Sequence, residues 1–318
     1  MDLENRKDNG NRTRKRVISI SLGSSERDAA GTLELGDTVI RLERRGTDGD
    51  MDKAAALLRA YNGKVDAIGL GGTDLYLVAG RHRYVFRESA RLLENVKQTP
   101  VLDGSGLKNT LERSIVRRLA ADGTVDFRGK KVLLTCAVDR FGMAEALCEA
   151  GADVTFGDIL YGLGFPVPLH SLSLLDKLAA LVVPVITKMP IRWFYPTGKE
   201  QTRRVVRYPE YFLRNDIIAG DFLFIKRFMP NRLDGKTILT NTVTAKDRVM
   251  LREAGVRTLI TTTPRVNGRS FGTNVMEAAL VASVGARHSL EPAAYDELIR
   301  KYHLHASVET LNGPRQEA

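Results

Sequence analysis

The stretch KVLLTCAVDRFGMAEALCEAGADVTFGD, residues 131–158, decides the fold. Val132, Leu133 and Leu134 form the unbroken apolar run of a buried parallel strand. Ala137-Val138-Asp139-Arg140 is a short polar turn. Phe141 to Ala150 has helix-forming composition, and Gly151 suits a helix C-terminus. Asp153 to Phe156 reads as a second strand, which stops at Gly157-Asp158. Strand, turn, helix and strand in this order open a dinucleotide-binding fold.

The phosphate-binding fingerprint of that fold is G-x-G-x-x-G, with an acidic residue about 20 positions on for the ribose hydroxyls. On this frame the three glycines fall on Ala137, Asp139 and Gly142, and only the third is glycine. Asp158 stands where the acid is expected. Asp139 places charge and bulk where backbone should approach a pyrophosphate, and Arg140 offsets that charge in part. Two readings stay open: a nucleotide cradle with a rebuilt entrance, or an α/β unit that kept its shape and lost the nucleotide.

The chain has 318 residues, enough for two α/β domains with their own cores. Its apolar fraction is 43%, that of a globular protein. No apolar run approaches the ~20 residues a membrane helix needs. The opening MDLENRKDNGNRTRKR has no apolar signal core, so a cytoplasmic protein is expected. Cys136 and Cys148 read as buried thiols rather than a disulfide. The net charge is +10, but the basic residues are scattered. No RNA-binding aromatic motif, zinc finger or basic zipper accompanies them. The expected partner is a small anionic metabolite, not nucleic acid and not a membrane; a homodimer is left open.

Periodicity divides the chain. Residues 1–15 read as a disordered tail. Residues 16–122 read as an N-terminal α/β domain. Its strands run from Arg16 to Leu22, Val65 to Leu70 and Val101 to Leu102. A hairpin spans Thr32 to Glu43, and a second joins Leu75–Val78 to Tyr84–Phe86. Its helices run from Asp50 to Tyr61 and from Leu107 to Ala120. Residues 130–285 read as a doubly wound, Rossmann-like parallel-sheet domain. Six strands are predicted there: Lys131 to Cys136, Asp153 to Phe156, Val182 to Ile186, Ile217 to Ala219, Thr237 to Thr240 and Thr258 to Thr262. Helices are predicted over Leu172 to Leu181, Ala245 to Ala254 and Thr273 to Val284. Residues 286–318 read as a C-terminal helix, Pro292 to His303, and a tail.

Ligands of open α/β sheets sit beyond the carboxyl ends of the strands, so polar residues there matter. Two strands end in Thr240-Asn241-Thr242-Val243-Thr244 and Thr261-Thr262-Thr263. Asn241, Thr242 and Thr262 are candidate donors to phosphate, ribose or substrate hydroxyls, while Thr244 reads as a helix cap. The loop from Arg265 to Asn274 feeds a helix and offers Arg269 and Asn274 to an anion. Asp221 either contacts the ligand or caps the helix after it. Asp103-Gly104-Ser105-Gly106 precedes Lys108, placing a carboxylate and an amine at one strand-to-helix turn; such a pair can move a proton to or from a substrate hydroxyl. Metal chemistry has no support: the five histidines form no H-E-x-x-H motif, and C-x-x-C is absent. The serine-nucleophile motif G-x-S-x-G is absent too.

Four stretches carry a family resemblance: residues 99–108 (TPVLDGSGLK), 139–143 (DRFGM), 240–242 (TNT) and 268–274 (GRSFGTN). On them the chain resembles bacterial proteins labelled quinate 5-dehydrogenase, distant members of the shikimate/quinate dehydrogenase group. The resemblance implies an N-terminal substrate domain and a Rossmann domain for NAD or NADP. It implies a lysine and an aspartate that share the proton work. Asp103 matches the Asp-Gly-x-Gly pattern of that aspartate, and Asn241-Thr242 is similar to an Asn-Thr after a later strand. Where the lysine motif is expected, this chain has Gly71-Gly72-Thr73-Asp74.

The leading expectation is hydride transfer between NAD (or NADP) and a hydroxylated carboxylic acid of quinate type. Asp103 and Lys108 would handle the proton. Asp158 would hold the ribose, favouring NAD. Asp139, Arg140 and Gly142 would lie near the pyrophosphate. The alternative is a non-redox enzyme or sensor on the same scaffold, binding an anionic metabolite between its domains.

Overall fold

In a computed structural model, residues 12–79, 82–190, 204–266 and 269–313 are described. The first half contains β1 (Thr13–Ser21), β2 (Ala29–Leu35), β3 (Thr38–Gly46), α1 (Met51–Tyr61), β4 (Ala67–Gly71), β5 (Tyr76–Ala79), β6 (His82–Val85), α2 (Arg87–Arg91), β7 (Val101–Leu102), α3 (Ser105–Asn109) and α4 (Leu111–Ala121). Then follow β8 (Lys131–Leu134), α5 (Phe141–Glu149), β9 (Asp153–Phe156), a π-helical turn (Asp158–Leu163), α6 (Leu172–Ile186), α7 (Pro209–Arg214), β10 (Ile217–Gly220), α8 (Phe222–Phe228), β11 (Thr237–Thr240), α9 (Ala245–Glu253) and β12 (Thr258–Thr261). The chain closes with β13 (Arg265–Val266), β14 (Arg269–Ser270), α10 (Thr273–Ser283), α11 (Pro292–Lys301) and β15 (Ser307–Thr310).

Two sheets organise these elements into a two-domain α/β fold. The first runs β2-β3-β1-β4-β7, with β2 antiparallel at its edge and the other strands parallel. Ile18, Ile20 and Ile68 pack on one face with Leu58 of α1. Val17 and Ala67 point to the other face, which α10 covers. Gly69 permits that approach, since a Cβ there would lie 2.9 Å from the backbone oxygen of Asn274. Thr13 to Lys15 belong to β1 rather than to a tail: they pair with Thr38 to Ile40, and Lys15 bonds Asp66 at 3.1 Å. Residues 1–11 of the expected tail lie outside the described residues.

The second sheet is Rossmann-like and doubly wound, in the order β15-β12-β11-β10-β8-β9. Leu133, Ile218, Ile238 and Leu259 face α8 and α9. Val132, Leu134, Ala219, Leu239 and Ile260 face the opposite core, with α4 and α5. This two-sided burial explains the continuous apolar runs of its strands.

Three expectations need correction. Val182 to Ile186 is not a strand but the last part of α6. Ser171 caps that helix, and Leu175, Ala179 and Val183, four residues apart, form its buried stripe; this helical pattern overrides the β-branched run. Among the described residues the sheet therefore has no strand beyond β9, and its parallel strands follow the flavodoxin-like order, with the switch point between β8 and β10. The expected helix over Leu107 to Ala120 is broken into α3 and α4 at Thr110, whose hydroxyl donates to the Gly106 carbonyl at 2.7 Å. Past residue 285 the chain returns to the second sheet, as β15 pairs antiparallel with β12. Its alternate residues are only half-buried, so no apolar alternation announced it.

Candidate functional site

The carboxyl ends of both sheets border one cleft of about 330 Å³. Ser19 and Ser21 come from β1, and Gly71 to Asp74 follow β4. Asp103 follows β7, Cys136 to Arg140 follow β8, and Asp221 and Asn241 follow β10 and β11. The β8/β10 switch point thus lies on the cleft, where such folds place ligands.

Lys108 of α3 spans the floor. Its Nζ donates to Asp74 Oδ1 at 2.7 Å and to Asp139 Oδ1 at 2.7 Å. Asp74 follows β4 of the first sheet and Asp139 follows β8 of the second, so one ammonium joins both domains. Burial raises the Asp74 carboxyl, Asp139 raises it further, and Lys108 only partly offsets them; its pKa is pushed up to about 7. Burial opposes the charge of Lys108, but Asp139 and Asp74 outweigh it and hold the ammonium well above the ordinary lysine range. The result is a fixed cation beside a carboxyl that titrates near neutrality.

Asp103 lines the cleft but does not pair with Lys108. Its Oδ2 accepts from the amides of Leu75 and Tyr76, each at 2.7 Å, and its Oδ1 accepts from Ser105 at 3.0 Å. These bonds fix the turn that carries Asp74, so Asp103 positions the site. The partners of Lys108 are Asp139 and Asp74, and Asp74 was not among the expected site residues. A Gly-Gly-Thr-Asp run at a strand end was the available signal.

The turn after β8 is closed from within. Asp158 borders the cleft, but its carboxylate turns back on its own loop, accepting from the amides of Ala137 at 3.0 Å and Val138 at 2.9 Å. Burial raises its pKa to about 6 against those bonds. The Gly142 amide donates to Asn109 Oδ1 at 3.2 Å. A Cβ at Gly142 would lie 2.7 Å from the Asn109 carbonyl oxygen, so this glycine admits α3, not a pyrophosphate. Arg140 is buried between Glu112 and Asp221, bonding the latter at 3.2 Å. A carboxylate and an asparagine thus take the amide donors that a pyrophosphate would use at this turn.

The remaining candidates divide. Asp221 lines the cleft and also caps α8, accepting from Leu223 at 2.9 Å. Burial opposes its charge, but Arg140 and Asn241 hold it below the ordinary carboxylate range. Asn241 donates to Asp221 at 2.9 Å and accepts from the Thr242 amide at 2.8 Å. Thr242 and Asn274 line the cleft, and Asn274 Nδ2 donates to Ser19 Oγ at 3.0 Å. Thr262 is fully buried away from the cleft. Thr244 caps α9 in a reciprocal box with Asp247. Arg269 begins β14, but its side chain lies outside the described residues, as do Asn267 and Gly268. Burial pushes the Cys136 thiol up to about 12 despite Arg140, so it is no thiolate nucleophile. Among the described residues no cluster of three His, Cys, Asp or Glu side chains is placed to hold a metal. None of the described helices is long and apolar enough to cross a membrane.

Fold and cleft define a two-domain α/β protein with a polar site at the carboxyl ends of both sheets. The chain belongs to the family described as a domain of unknown function, DUF8754, which matches residues 106–311. Residues 16–103 match a second domain of unknown function, DUF8753. No curated protein matches the chain. Among solved structures it is similar to an arabinose binding protein from Geobacillus stearothermophilus, with a TM-score of 0.41 and 10% identity over 94% of this chain and 97% of that one. An ABC transporter solute binding protein from Agrobacterium vitis with bound allitol gives 0.37 and 12% over 94% and 96%. An NAD-dependent malic enzyme from Thermotoga maritima gives 0.31 and 15% over 80% and 68%. Likenesses this distant carry no argument about function.

Proposed function

We propose that the protein is an enzyme that moves a proton on a small hydroxylated carboxylic acid held between its two sheets. The observation that carries this reading is the Asp74–Lys108–Asp139 bridge on the cleft floor. A carboxyl with a pKa of about 7 is matched to general acid–base work at neutral pH. Asp74 takes a proton from the substrate carbon next to the carboxyl group, the bonding pair moves toward a carboxyl oxygen, and the Lys108 ammonium stabilises the charge that develops there. Asp139 keeps that ammonium charged and aimed.

Exchange of substrate protons with D₂O, followed by NMR over a panel of cyclic and linear hydroxy acids, tests the reading. Exchange or turnover with at least one acid is expected. Asp74→Asn should slow it by roughly 10²–10⁴-fold. Binding without any exchange would make the chain a receptor, and no binding of any acid would sink the reading.

The second reading is hydride transfer between NAD(P) and a quinate-type acid. The switch point of a Rossmann-like sheet on the cleft favours it. The internally occupied turn at Ala137 and Val138 weighs against it. Calorimetric titration with NAD and NADP decides between the two.

A further inference from the structure

Two features of the cleft have no part in the proton-transfer reading. One is the amino end of α10. This eleven-residue helix is capped by no side chain, its N-cap being Gly272, and its first residues Thr273 and Asn274 line the cleft. Thr242 stands beside that end: a Cβ on Gly272 would lie 3.9 Å from Thr242 Oγ1. Thr242 is only 8% exposed, and its hydroxyl has no hydrogen-bond partner among the described residues. A buried hydroxyl without a partner is costly, and an uncapped helix end favours negative charge. Both are met by one incoming oxyanion. The other feature is a wall of Leu178, Val182 and Ile186 from α6, with Ile159, Phe86 and Phe224 beside it. Water gains nothing from such a wall, whereas an apolar ligand surface does.

We infer that the cleft takes an amphipathic acid, with its oxyanion at the amino end of α10 beside Thr242 and its apolar body along α6. This rests on the proposed use of the cleft as a metabolite site and narrows the ligand class.

Calorimetry on the full chain tests it with four probes: hydrocinnamate, hydrocinnamyl alcohol, acetate and inorganic phosphate. Hydrocinnamate should bind at least about tenfold tighter than the alcohol, the scale of hydrogen bonds to a charged group. It should also exceed acetate by about tenfold or more, from burial of its ring. Acetate against phosphate tells a carboxylate head from a phosphate head. Thr242→Val should cost hydrocinnamate about tenfold and leave the alcohol unchanged. Leu178→Ser should weaken hydrocinnamate and leave acetate unchanged, with circular dichroism confirming that both variants fold. Equal binding of acid and alcohol, no effect of Thr242→Val, or no binding of hydrocinnamate would overturn the inference. If polar hydroxy acids bind and hydrocinnamate does not, this inference alone fails and the proton-transfer reading stands.

Discussion

Asp74 and Lys108 meet at 2.7 Å on the cleft floor, the carboxylate from the end of β4 and the ammonium from α3. Asp139 holds the same ammonium from the other side, so two acids share one base. Removing the cation should leave the acids repelling each other. Lys108→Met is expected to raise the Asp74 pKa above its value of about 7 and to abolish proton exchange; a carbon-detected NMR titration of the aspartate carboxyls reads both the direction and the size.

Arg140 and Glu112 form a buried ion pair, 1% and 0% exposed. Arg140→Met strands a buried carboxylate and should cost about 3–5 kcal/mol in urea unfolding. The double variant Glu112→Leu, Arg140→Met should recover part of that loss, because the fully buried carboxylate is removed with its partner, while Asp221 keeps its bonds from Asn241 and Leu223. A double variant no more stable than the single one would show that the pair matters for more than mutual neutralisation.

Gly142 tests what the turn after β8 is for. A Cβ there would sit 2.7 Å from the Asn109 carbonyl oxygen and 3.0 Å from its Cα, both backbone atoms. Gly142→Ala is therefore expected to destabilise the fold by about 1–3 kcal/mol without any ligand present. A glycine that served only to admit a pyrophosphate would leave the ligand-free melting temperature unchanged.

Asp158 supplies the companion test. Titration of the wild-type chain with NADH, read by nicotinamide fluorescence, is expected to show no binding at the turn the carboxylate fills. Asp158→Ala leaves the amides of Ala137 and Val138 without their acceptor and should cost about 1–3 kcal/mol of stability.

Glu277 gives a pH dependence that does not involve the cleft chemistry. It is buried on α10, accepts from Tyr295 at 2.5 Å, and has its pKa pushed from 4.5 to about 7 by burial and then by Asp103, against the tyrosine bond. The folded chain holds this proton where the unfolded chain has released it. Its contribution to stability is therefore full below pH 4.5 and is lost as pH rises through about 7. Glu277→Gln should flatten the fall in stability between those limits by up to ~3 kcal/mol. Melting temperatures across that range give the measurement. An unchanged slope would mean that Glu277 ionises freely in the fold.

The sheets were legible because their strands are apolar runs closed by turn formers, as at Val132 to Leu134 and Ile217 to Ala219. Val182 to Ile186 misled because its β-branched residues resemble a strand and Pro184 argues against a helix interior, while the buried spacing of Leu175, Ala179 and Val183 is helical. In the cleft, Lys108 and Asp139 could be singled out by charge at strand and helix ends. The second acid on Lys108 could not, since Asp74 lies 34 residues before it and only the fold brings them together. Asp158 stood at the spacing of a ribose ligand, but spacing does not tell whether a carboxylate faces outward or turns back onto its own loop.

The cleft around Asp74 and Lys108 is proposed to bind and work on a small acid. Its most direct test is the Asp74 carboxyl resonance, followed by NMR from pH 5 to 9 with and without a bound acid. The expected result is a midpoint of about 7 in the free protein that moves when the acid binds. A midpoint that stays put while an acid saturates the protein would place the ligand elsewhere and contradict the claim.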